Sequence, residues 1–177
     1  MSDDKAGGKQ LDRESLLSGL RVIDLEESTR VEAIRALIAA GHWSDSGILP
    51  EDVFRAIEER EATAQTIAAE DLAIPHASID WNGDYRIVIG RRREGFEYAV
   101  AGQSVKLIVL LVTGRLEASR HLELLALLAE LLRSRGFRQR LVDAPACSDA
   151  ERLLRERTTP AVETSPVGRQ PAAQLSI

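Results

Sequence analysis

One cysteine, Cys147, stands in 177 residues. No internal disulfide is available, and the residue sits among small neighbours near the end of the folded region, which fits a reducing cytoplasm. Long apolar runs are also missing. The longest, Leu107-Ile108-Val109-Leu110-Leu111-Val112, is far short of the roughly 20 residues of a membrane span, so no membrane insertion is expected. Lys and Arg number 23 against 28 Asp and Glu, and the net charge of -5 excludes a broad basic footprint for nucleic acid. Neither a helical His-x-x-x-His nor a Cys-x-x-Cys occurs, so no metal site is expected. No glycine-rich phosphate loop follows a strand and no serine nucleophile elbow is present, so neither a nucleotide cofactor nor serine hydrolase chemistry has support.

The composition that remains is that of a globular protein, 44% hydrophobic and 29% charged, with length for one domain and tails. Residues 1–13 are polar and glycine-containing and read as a flexible leader without a signal-peptide core. Residues 14–157 carry the patterned sequence. Residues 158–177 hold three of the six prolines with Ser, Thr and Gln, and read as a disordered tail.

Along the patterned part, residues 15–25 suggest a short helical turn leading into an extended segment. Thr29 with Glu32 is a capping-box pair that opens a helix over residues 30–40, and Gly41 is placed to stop it. His42 and Trp43 then fall in a loop. Pro50 fits the first position of a second helix, with Val53, Phe54 and Ile57 inward and Glu51, Asp52, Glu58, Glu59 and Glu61 on a solvated face. Residues 62–71 lack periodicity and read as an irregular connection. Residues 85–90 read as a strand, Arg91-Arg92-Arg93-Glu94-Gly95 as a basic turn able to meet an anion, and residues 96–100 as a second, half-exposed strand.

Residues 105–112 are almost continuously apolar, the mark of a central strand covered on both faces, which requires an α/β layered arrangement. Ser119 is a candidate N-cap for a leucine-rich helix that Gly136 closes; a short helical piece at 137–142 and a final amphipathic helix at 149–157 follow.

Chemistry concentrates at Leu72-Ala73-Ile74-Pro75-His76-Ala77, an apolar run that stops at a proline and delivers a histidine. A neutral imidazole keeps a free lone pair near physiological pH, so His76 suits a nucleophile, a general base or a ligand. His121, in the first turn of the leucine-rich helix, is its natural companion. A metal-dependent hydrolase built on these two lacks a third ligand at a sensible spacing.

Several features in the same order resemble the IIA domain of the bacterial phosphoenolpyruvate-dependent sugar phosphotransferase system, in the fructose/mannitol and nitrogen-regulatory class. They are the helix over 31–40, the segment Val53-Phe54-Arg55-Ala56-Ile57-Glu58-Glu59-Arg60-Glu61, the motif Ala73-Ile74-Pro75-His76-Ala77, the strand at 105–112, and His121 before the leucine-rich helix. The resemblance spans about residues 20–156. It implies an α/β fold with a central mixed β-sheet flanked by helices on both faces. It further implies a phosphoryl carrier in which His76 accepts the group from an HPr-type phosphocarrier protein, His121 is the second active-site histidine and Arg60 approaches the phosphoryl oxygens. Regulatory target proteins or a separate IIB component are the partners it implies downstream. Where the family runs a glycine-rich segment into the histidine, this chain has Ala64-Gln65-Thr66-Ile67-Ala68-Ala69-Glu70-Asp71. Lost glycines and two new carboxylates there favour an alternative, a IIA-like regulatory module that binds a protein partner without being phosphorylated.

Overall fold

The computed structural model describes residues 16–17, 19–43, 47–98, 104–114 and 118–158. The expected leader and all of the expected tail but residue 158 lie outside them. Six strands form one sheet: β1 (Arg21–Asp24), β2 (Ile67–Ala69), β3 (Leu72–Ala73), β4 (His76–Ser78), β5 (Tyr85–Glu97) and β6 (Ser104–Thr113). Five helices accompany it: α1 (Arg30–Ala40), α2 (Pro50–Thr63), α3 (Ala118–Leu131), α4 (Arg135–Asp143) and α5 (Cys147–Thr158).

The sheet is mixed, in the order β1-β5-β6-β3-β2, with β4 also paired to β6. β5 and β6 run antiparallel at the centre, while β1 lies parallel to β5, and β3 and β4 lie parallel to β6. Residues 107–112 of β6 are all at most 1% exposed, as the unbroken apolar run requires. Their side chains alternate between two cores. Leu107, Val109 and Leu111 pack with Leu124, Leu128 and Leu141 on one face, and Ile108, Leu110 and Val112 pack with Ile34, Leu37 and Ile57 on the other. At about 1.5–3 kcal/mol for each fully buried aliphatic side chain, these two layers dominate the stability.

β3 and β4 pair with successive stretches of β6. Leu72 and Ala73 pair with Leu107 and Ile108, and His76 to Ser78 pair with Leu111 to Thr113. Between them Pro75 lacks an N–H, yet its carbonyl still takes the Leu111 N–H at 3.0 Å. The proline therefore interrupts the ladder without ending it, and the chain delivers His76 beside the C-terminal end of β6.

Local signals at the first two helices hold. The Thr29 hydroxyl accepts from Glu32 N and donates to its carboxylate, Gly41 follows α1, and Pro50 is the first residue of α2. Several expectations are corrected. Residues 62–71 are not irregular throughout: α2 runs to Thr63, and β2 pairs antiparallel with β3. Residues 91–95 are not a turn, because β5 continues through them to Glu97; Gly95, at φ 71°, takes up the irregularity in register. The expected strand over 96–100 is the end of β5, its last two residues lying outside the described ones. Arg91 is 4% exposed; its guanidinium reaches Asp24 and the carbonyls of Leu141 and Ala144, so it meets no free anion. The leucine-rich helix ends at Leu131 rather than Gly136, Ser134 caps α4 by accepting from Phe137 N, and Ser119 lies inside α3.

Candidate functional site

His76 and His121 converge. Their ring centroids stand 5.6 Å apart with the planes inclined at 50°, and both rings are partly exposed. β4 carries one and the first turn of α3 the other. The sheet register fixes the meeting point, since His76 pairs with Leu111 and β6 leads through Thr113 toward α3.

Each ring is held at Nδ1. For His76, Nδ1 lies 2.8 Å from the carbonyl oxygen of Ile74. A carbonyl oxygen only accepts, so Nδ1 carries the proton and Nε2 keeps its lone pair. For His121, Nδ1 lies 2.9 Å from Oγ1 of Thr113. Both residues titrate below the ordinary imidazole value. Burial depresses His76 most, the Ile74 hydrogen bond opposes it, Arg60 lowers it further and Glu61 opposes again. Burial leads for His121 too, followed by the charges of His76 and Arg60. Both rings are therefore neutral at pH 7.

Arg60 sits in the last turn of α2, where its guanidinium donates to Ala64 O at 3.0 Å. Its charge bears on both histidines, so the three residues singled out in the sequence share one electrostatic neighbourhood. His42 is elsewhere: it contacts Arg21 on β1, at the opposite edge of the sheet from β4.

Glu61 departs from the expected solvated face. It is 8% exposed and accepts from the hydroxyl of Thr66, which also lies 3.3 Å from the Tyr98 hydroxyl. This network pins the end of α2 to the segment that leads into β3. Glu58 also leaves the solvated face, taking both guanidinium nitrogens of Arg30 at 2.7 and 2.9 Å. Sequence reasoning missed Glu61, Thr66 and Thr113 alike. The available signals were the adjacency of Glu61 to Arg60 and a polar residue closing an apolar strand eight residues before His121.

Glu70 and Asp71, the two carboxylates of the segment before the histidine motif, are turned away from the rings. Asp71 Oδ1 takes Nε and Nη2 of Arg138 at 2.9 and 2.6 Å, and Glu70 lies 3.9 Å from Arg135. The carbonyl of Asp71 accepts from Lys106 and Leu107, whereas His76 is level with Leu111. At about 3.3 Å per residue the two positions are separated by roughly 15 Å along β6.

The sequence from 17 to 157 matches the family described as phosphoenolpyruvate-dependent sugar phosphotransferase system, EIIA 2. A PTS system fructose-specific EIIA component of Haloferax volcanii is 27% identical over 149 residues, covering 80% of this chain and 94% of that protein. A multiphosphoryl transfer protein of Shigella flexneri is 28% identical over 136 residues, covering 75% of this chain; the match spans only 16% of that longer protein. Among solved structures, the nitrogen regulatory protein IIA-Ntr of Neisseria meningitidis superposes with a TM-score of 0.68 at 24% identity, covering 78% of this chain and 94% of that one. IIA mannitol of Escherichia coli superposes at 0.62 and 18%, covering 77% and 95%. With the mixed sheet, the helices on both faces and the family match over 17–157, the chain belongs to the EIIA type 2 family of the phosphoenolpyruvate-dependent sugar phosphotransferase system.

Proposed function

We propose that this protein is a phosphoryl carrier that accepts a phosphoryl group on Nε2 of His76 from the phosphohistidine of an HPr-type carrier protein. The observation that carries the reading is the pairing of two neutral histidines, 5.6 Å apart, each with Nδ1 already committed, beside the charge of Arg60. A nucleophilic nitrogen needs its lone pair, and burial together with Arg60 keeps His76 unprotonated at Nε2.

The transfer balances without moving a proton. Nε2 of His76 attacks phosphorus in line as the nitrogen–phosphorus bond of the donor breaks, and the donor leaves as a neutral imidazole. His76 keeps its Nδ1 proton and becomes a phosphoryl-imidazolium, whose positive ring is stabilised by the Ile74 carbonyl. Catalysis here is positioning plus neutralisation of oxygen charge. Arg60 supplies the guanidinium. Once a dianion is attached beside it, His121 gains affinity for a proton at Nε2 and can donate to a phosphoryl oxygen. Leu122, next to His121, is 63% exposed and offers apolar contact to a protein donor.

The use of the phosphoryl group is regulatory in this reading, through target proteins that sense the phosphorylated form; onward transfer to a separate IIB component is the other use. A cytoplasmic location, where phosphoenolpyruvate is at hand, is part of the proposal. Phosphoenolpyruvate, enzyme I and an HPr-type carrier should place an acid-labile label on the wild type and none on His76→Ala. A chase with a fructose-type IIB component then separates the two uses. No label on the wild type, where a control IIA domain is labelled, refutes the carrier and leaves an unphosphorylated interaction module.

A further inference from the structure

Thr113 closes β6 with no exposure to solvent. Its hydroxyl stands between two groups, the Ala77 carbonyl oxygen at 3.4 Å and Nδ1 of His121 at 2.9 Å. The carbonyl can only accept, so the single hydroxyl proton goes to Ala77 and Oγ1 meets His121 as an acceptor. With the hydroxyl proton directed to Ala77, the proton in the second bond comes from Nδ1. We propose that Thr113 is a positioning residue of the phosphoryl site, which fixes the tautomer and orientation of His121 so that Nε2 is the nitrogen left for the phosphoryl group.

Two features make this more than a convenient contact. Both rings refer to one short piece of backbone: His76 to the carbonyl of Ile74, and His121, through Thr113, to the carbonyl of Ala77. Residues 74–77 thus act as a common template for the ring pair. The bond also suits both charge states of His121, because Nδ1–H is a donor in neutral imidazole and in imidazolium alike. His121 can take a proton from solvent at Nε2 when the dianion arrives, and release it afterwards, without turning its ring.

The functional half of this inference rests on the carrier reading; the tautomer does not. In the full chain labelled with 15N-histidine, His121 should show a pyrrole-like Nδ1 and a pyridine-like Nε2 at pH 8. Thr113→Ser should preserve this pattern. Thr113→Val, close in volume but without the hydroxyl, should release a bias of roughly five- to ten-fold between tautomers, the size of one neutral hydrogen bond. Phosphoryl acceptance should slow by a comparable factor in the valine variant and recover in the serine variant. A wild-type His121 protonated at Nε2 at pH 8 overturns the proposal, and this measurement stands even if the valine variant does not fold. A shifted tautomer with an unchanged acceptance rate overturns the positioning role. If the wild type takes no label, the carrier reading fails and the positioning role with it, while the nitrogen spectra still decide whether Thr113 sets the tautomer.

Discussion

Asp71→Asn separates the electrostatics of the site from the stability of the fold. The carboxylate would repel a phosphoryl group if it faced one. Across roughly 15 Å of strand, its attraction or repulsion toward a dianion in a water-like medium is about 0.6 kcal/mol before screening. That distance exceeds the Debye length of about 8 Å at physiological salt, and Arg138 already neutralises the charge locally. Acceptance by Asp71→Asn should therefore stay within about twofold of wild type, since 1.4 kcal/mol is needed for tenfold. Stability should respond instead. Arg138 is 5% exposed and holds Asp71 together with the carbonyls of Leu132 and Arg133 at the end of α3. Neutralising Asp71 leaves a buried guanidinium without its counter-charge, at a cost of roughly 2–3 kcal/mol, and Arg138→Ala costs roughly 3–5 kcal/mol. For a chain of this size the asparagine change lowers Tm by roughly 5–10 °C. Initial rates of labelling at two salt concentrations and thermal unfolding by circular dichroism measure the two effects. A gain of more than about threefold in rate with an unchanged Tm would refute the reasoning, because Asp71 would then face the phosphoryl site.

Lowered imidazole values make acceptance fall as pH drops through the folded values of His76 and His121, which lie below 6.5, and leave it flat above that. The same shifts mean that the unfolded chain binds more protons in this window, so stability declines as pH falls below about 6.5. Denaturant midpoints against pH should show this slope, and His76→Asn with His121→Asn should flatten it; ring titrations above 6.5 would contradict it. At the same C-terminal end of β6, a Cβ on Gly114 would collide with the Gly83 carbonyl and approach that of Trp81 at 2.6 Å. Gly114→Ala should cost about 1–3 kcal/mol through overpacking and disturb the approach to α3, read as a lower Tm with slower labelling.

Which parts of this were legible beforehand follows from the range of the forces involved. The Thr29 and Glu32 cap, the stop at Gly41, Pro50 at a helix start and the apolar 107–112 strand are signals that neighbouring residues carry, and each reappears in the fold. Residues 91–95 read as a turn because three arginines, a glutamate and a glycine are locally polar. They remain in a strand because Asp24 and the carbonyls at the end of α4 satisfy the buried Arg91, partners 67, 50 and 53 residues away. Glu61 looked solvated beside other carboxylates on α2, and only the return of the chain at Thr66 and Tyr98 buries it.

By itself the sequence determined the periodic elements, the apolar strand that must be central, and the run Ile74-Pro75-His76 that presents an imidazole at a chain stop, because these depend on contacts within a few residues. Only the tertiary structure decided that His76 and His121 meet at 5.6 Å, that each is tied at Nδ1, and that Asp71 is turned to Arg138. Strand register and the placement of α3 set those relations, through cross-sheet partners that no local pattern encodes.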